Sequence, residues 1–108
     1  MSIESYKRRI ESKKRDIERE KAKIADLRED IAQIRIRKSR DADRYRTRIK
    51  NASSTSNRQS IRAQKSRDWE NYARKIDSLK ERILSCKERV SDYRDDIKRA
   101  RKSMKRLR

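Results

Sequence analysis

Ser53-Ser54-Thr55-Ser56-Asn57 is the one run of five small polar residues in this 108-residue chain, and its reading decides the fold. Small polar side chains hydrogen-bond to nearby backbone and compete with helical bonding, which predicts a turn over 53–57. Ser56 followed by Gln59 has the spacing of a capping box, so a helix is expected to resume near Asn57. The chain has no glycine to close the turn, but Asn57 tolerates a left-handed backbone.

On either side of this run the apolar residues keep a strict period. Ile3, Ile10, Ile17, Ile24 and Ile31 recur every seven residues, and Tyr6, Leu27 and Ile34 fall on the companion series, whose polar members are Lys13 and Glu20. Trp69, Ile76, Ile83, Val90, Ile97 and Met104 form a second such repeat, accompanied by Tyr72, Leu79, Cys86, Tyr93, Ala100 and Leu107. Spacing of three and four is a heptad pattern, so each half is a helix with one narrow apolar seam. Disorder, the first expectation for a chain that is 50% charged, would scatter the apolar residues without period.

If the halves fold back on each other, facing residues have numbers with a constant sum. The sum 110 pairs each first-series residue of one helix with a companion-series residue of the other: Ile3 with Leu107, Tyr6 with Met104, Ile10 with Ala100, Ile17 with Tyr93, Ile24 with Cys86, Leu27 with Ile83. Half of 110 is Thr55, the centre of the polar run. The expected fold is therefore all-α, an antiparallel two-helix coiled-coil hairpin forming one domain over 1–108. Helix one is expected over about 3–52 and helix two over about 57–107. Each arm of roughly 50 residues would be about 75 Å long at ~1.5 Å per residue. A continuous helix dimerising in parallel would leave the polar run at the symmetry point a coincidence. Exposed Ile36, Leu84, Ala25 and Ala32 offer a thin second face for a homodimer or a helical-bundle partner.

Beyond Asp41 and Trp69 the spacing becomes four-and-four through Tyr45, Ile49, Ile61 and Lys65, a stutter mirrored on both helices. Lys38 opposite Tyr72 and Asp41 opposite Trp69 are expected to mark the end of apolar packing, with Tyr45 half exposed beyond. Lys13 and Glu20 are expected to snorkel from the seam to the surface. The region from about Arg37 to Arg67 is expected to open readily and to order on binding.

The chain carries 36 Lys plus Arg against 18 Asp plus Glu, a net +18, with no histidine. Residues 35–67 hold 12 basic and 2 acidic side chains and residues 97–108 hold 7 and none, so these two stretches, expected at opposite ends of the hairpin, contain +17 of the +18. The heptad register adds a flank: Lys7, Lys14, Lys21, Arg28 and Arg35 on helix one, and Lys80, Lys87, Arg94, Arg101 and Arg108 on helix two, all occupy e positions and share one edge in an antiparallel pair. Glu4, Glu11 and Glu18 precede three of the first set by three residues, whereas on helix two only Asp77 precedes Lys80 in this way.

Such a stripe suits the phosphate backbone of a nucleic acid, bound without sequence specificity and with steep salt dependence. The ten e positions carry it, extended by Arg37, Arg40, Arg44, Arg46, Arg48, Lys50, Arg58, Arg62, Lys65 and Arg67 near the turn. The alternative is a small helical adaptor, a targeting or assembly subunit, docking on an acidic protein partner; an anionic membrane surface comes third. Catalysis finds no support: no His pairs with Cys86, no zinc-spaced ligands occur, and no glycine pattern cradles phosphate. No enzyme activity, cofactor or metal is expected. A lone cysteine needs no oxidising compartment, and neither a signal peptide nor a transmembrane segment is visible, so the expected address is cytoplasmic.

Overall fold

The computed structural model describes residues 2–108. It is an all-α hairpin of two antiparallel helices, α1 (Ile3–Asn51) and α2 (Thr55–Arg106), with no strand among the described residues. Two compact units are recognised along it, residues 1–27 with 81–108 and residues 28–80, here the first and second unit.

The turn is shorter than the polar run. α1 ends at Asn51, where the Ala52 amide bonds the Ile49 carbonyl at 3.3 Å, and α2 already starts at Thr55. Its cap is Ser54 rather than Ser56: the Ser54 Oγ accepts the Asn57 amide at 3.1 Å, and its carbonyl takes the first helical bond, from the Arg58 amide at 3.1 Å. The expected Ser56–Gln59 box loses because both residues lie inside the first turns, where Ser56 is already helical. Asn57 gives its side-chain amide to the Ser53 Oγ at 3.1 Å. Among the described residues none has positive φ, so the turn closes without glycine and without a left-handed asparagine.

In the first unit the seam is built as the heptads require. Ile10, Ile17, Val90, Ile97 and Ala100 form a buried cluster with Tyr6, Tyr93 and Met104 packed against it. These eight contain the expected pairs Tyr6–Met104, Ile10–Ala100 and Ile17–Tyr93. Ile24, Leu27, Ile83 and Cys86 are buried as well. Burying an Ile or Leu side chain stabilises by about 1.5–3 kcal/mol, against about 0.2–0.5 kcal/mol lost per like-charge pair at helical spacing, so the seam outweighs the repulsion on the flanks. Leu107 departs from the pattern: it lies past the end of α2 and is 51% exposed, so the outermost expected pair with Ile3 has no helical turn to hold it.

In the second unit Ile31 is buried and Ile34, Ile76 and Leu79 are half-buried along the same seam. Ile34 to Arg37, which alternate like a strand in sequence, are helical, with Ile36 exposed. Packing does not stop at Asp41: Tyr72, Asp41 and Tyr45 are buried, and Trp69, Ile49 and Ile61 are half-buried beyond.

The two cap assignments separate experimentally. Ser54→Ala should lower stability in urea by about 1 kcal/mol, whereas Ser56→Ala should change it by no more than a few tenths. Equal losses, monitored by helical circular dichroism, would contradict Ser54 as the cap.

Candidate functional site

The cations of α1 and α2 differ in what they touch. On α1, Lys7, Lys14 and Lys21 are exposed, and each reaches back to a glutamate three residues earlier: Glu4 at 3.8 Å, Glu11 at 3.5 Å and Glu18 at 3.8 Å. Within the first unit, Lys87, Arg94 and Arg101 on α2, and Arg108 just past its end, are exposed, and no carboxylate lies within 4.0 Å of them among the described residues. In the second unit Arg28, Arg35 and Lys80 are exposed and equally without such a partner, Asp77 included. The helix macrodipole accounts for basic residues only in the last turn of α2, Lys105 and Arg106, and not for those further upstream.

The opposite flank of the first unit is built differently. Lys13 reaches Asp96 across the seam at 3.7 Å, and the Arg89 Nε donates to Glu20 Oε1 at 3.1 Å. Arg99 also holds Asp96, at 2.6 Å, and its hydrogen bond keeps that carboxyl below the usual range despite partial desolvation. One flank of the first unit carries cross-helix ion pairs, then, and on the other only the α1 lysines are paired, each within its own helix.

In the second unit the region around the turn is dense in cations. Arg37, Arg40, Arg44, Arg46, Arg48, Lys50, Arg62 and Arg67 are exposed, and Arg58 and Lys65 are half-buried. Arg44 is held by Asp41, Arg46 by Asp43 at 3.3 Å, and Arg48 donates to the Gln64 side-chain Oε1 at 3.1 Å. Beneath them lies an aromatic cluster. Tyr45 and Tyr72 meet Trp69 edge-on, with ring centroids 6.0 and 5.9 Å away. Lys38 and Lys65 lie 5.5 and 5.1 Å from the centre of the Trp69 ring, and Arg48 lies 5.3 Å from that of Tyr45. Tyr45, expected half exposed, is only 5% exposed because its hydroxyl donates to Asp68 and its ring packs on Trp69. Tyr45 and Tyr72 are buried, and the half-buried Trp69 carries two lysines over its ring.

Two polar layers inside the seam fix which residues face which, and the sequence reading missed both. Glu20, expected to snorkel, is 5% exposed, because Oε1 meets Arg89 across the seam and Lys23, at 3.3 Å, on its own helix. Burial pushes its pKa up, but the nearby Cys86 thiol, Arg89 and Lys23 together outweigh that and leave it below the usual glutamate value. Oε2 meets no donor at bonding distance. Arg89 in turn is held above its ordinary value by its hydrogen bond to Glu20.

The second layer crosses the expected pairing. Lys38 lies over Trp69 and Asp41 accepts the Tyr72 hydroxyl, where facing positions alone would set Lys38 on Tyr72 and Asp41 on Trp69. The exchange is chemical: the carboxylate takes the hydroxyl donor and the ammonium takes the indole face. The Tyr72 hydrogen bond and then Arg44 depress Asp41 against its desolvation, and the bond to Asp41, helped by burial, pushes Tyr72 up to about 12. Hydrogen bonding to Asp68 raises Tyr45 likewise. The signal available in sequence was a charged residue at two companion-series positions, without the partner that each would find.

Cys86 is 2% exposed and receives Arg89 Nη2 at 3.3 Å. Among the described residues no group of three or more His, Cys, Asp or Glu is placed to hold a metal ion, and no helix is long and apolar enough to cross a membrane. Comparison with protein-family models, with curated proteins and with solved structures returned no match.

Tyr72→Phe leaves Asp41 buried without its donor and should cost about 1–3 kcal/mol at neutral pH. Tyr72 is favoured in its neutral form by the fold, so its contribution is complete below pH ~10 and is lost as pH rises toward 12. The gap in thermal midpoint between wild type and variant should therefore narrow across that window; a constant gap would show that the hydroxyl does not bear on stability.

Proposed function

We propose that this hairpin binds the phosphate backbone of nucleic acid, without reading sequence and without catalysis. The observation that carries the reading is an asymmetry between the helices within the first unit: Lys87, Arg94 and Arg101 stand exposed and without a carboxylate, whereas Lys7, Lys14 and Lys21 each hold one of their own. Residues seven apart on a helix lie about 10.5 Å along its axis, close to the screening length of about 8–10 Å in ordinary salt. Neighbouring cations in the row therefore repel one another weakly while free, yet each can neutralise a different phosphate and release its counterion.

The aromatic residues bear on the kind of recognition. Base stacking needs exposed π-faces, and Tyr45, Trp69 and Tyr72 are packed on each other under Lys38, Lys65 and Arg48. What remains at the surface is charge and guanidinium hydrogen bonding, which position a protein on a duplex without distinguishing bases. Docking on an acidic protein would draw on the same cations and is the alternative reading.

The test is a fluorescence-anisotropy titration of 20-bp duplexes of unrelated sequence at several salt concentrations. Affinities should agree within a few-fold between sequences, and log K should fall with log salt by several units. Replacing Lys80, Lys87, Arg94 and Arg101 together by Gln should remove about 3–4 units of that slope and leave helicity unchanged. Absence of binding at low salt, or a quadruple variant with the wild-type slope, would refute the reading.

A further inference from the structure

The net charge is divided between the two units almost evenly. Residues 1–9 and 97–108, all in the first unit, hold 10 basic and 1 acidic side chains, and residues 35–67, all in the second unit, hold 12 and 2. The residues between them, 10–34 and 68–96, hold 14 basic and 15 acidic. Two clusters of about equal charge are thus separated along both helices by stretches that are electrically neutral in sum.

Each cluster is accessible. Every cation of the first-unit cluster is exposed, and of these only Lys7 and Arg99 hold a carboxylate among the described residues. In the second-unit cluster all but Lys38, Arg58 and Lys65 are exposed, and only Arg44 and Arg46 hold a carboxylate. Neutralising the two clusters on separate phosphate runs releases counterions at both without bringing like charges together.

We infer that each unit carries its own phosphate-binding surface and that one chain joins two nucleic-acid duplexes. This rests on the proposed backbone binding and adds a second valence to it. A second duplex can occupy the cluster that the first leaves free, so a chain with both clusters filled joins two duplexes instead of merely coating one.

The experiment uses the full chain, a biotinylated duplex on beads and a fluorescent duplex in solution. Protein below saturation of the beads should retain the fluorescent duplex at 50 mM salt, and sedimentation should show the chain monomeric under the same conditions. Two variants divide the clusters: Lys98, Lys102, Lys105 and Arg106 to Gln, and Arg46, Lys50, Arg62 and Arg67 to Gln. Each should bind a single duplex with a shallower salt slope, and each should lose capture by tenfold or more. The same positions exchanged Arg→Lys or Lys→Arg should restore it, which excludes loss of fold as the cause. Wild type that binds the bead duplex but captures no second one overturns the inference and leaves the proposed function standing. Capture unaffected by either variant, or capture by a dimer only, overturns it too. Failure to bind the bead duplex at all overturns the proposed function with it.

Discussion

A seam only two side chains wide holds this chain together. With half of its residues charged, the protein has no other apolar surface large enough to bury, and nearly all of its buried side chains fall on two heptad series. A narrow seam has a consequence that a broad core lacks. It fixes the rotation of each helix about its own axis, and with it the direction in which every other side chain faces. The flanks are set by the seam, so the placement of cations follows from hydrophobic burial and needs no attraction of its own.

The seam is interrupted in two places, and the interruptions make it specific. An Ile or Leu at position 20 or 41 would bury well in several registers, whereas Glu20 gains its cross-seam partner where Arg89 reaches it and Asp41 where Tyr72 does. Replacing buried polar contacts by apolar side chains often costs nothing in stability. Their value here is selective: a one-heptad slip that set Asp96 against Glu20 and Leu79 against Asp41 would strand both carboxylates, a penalty of several kcal/mol. The depressed pKa values of Glu20 and Asp41 express the same preference, since both contribute stability above the ordinary carboxylate range and lose it as pH falls through their lowered values.

The hairpin could be read from residues because its signals are redundant. Heptads give two helices, the polar run gives one reversal, and the facing-pair arithmetic centres on Thr55. The exposure of all ten e positions was legible for the same reason, as a register calculation. Chemistry between neighbouring layers was not. Whether Glu20 leaves the seam or stays in it depends on Arg89 reaching across from α2, and no periodicity records that. Tyr45 was misjudged because its partner Asp68 is 23 positions away and belongs to neither heptad series. The cap failed for a smaller reason: Ser54 and Ser56 both qualify as caps, and sequence cannot rank two adequate hydroxyls two residues apart.

The functional reading uses little beyond this geometry. One flank of the first unit exchanges ion pairs across the seam, while Lys87, Arg94 and Arg101 on the other find no carboxylate, and the proposed anion binding draws on these. Every step of that reasoning assumes that Ile10 faces Ala100 within one molecule. Disulfide trapping tests this most directly: Ile10→Cys with Ala100→Cys, in a Cys86→Ala background, oxidised at low protein concentration. The account predicts rapid formation of an internally bridged monomer, with far slower bridging when the second cysteine is placed at exposed Lys98. Covalent dimers as the main product, or equal rates for the two pairs, would contradict it.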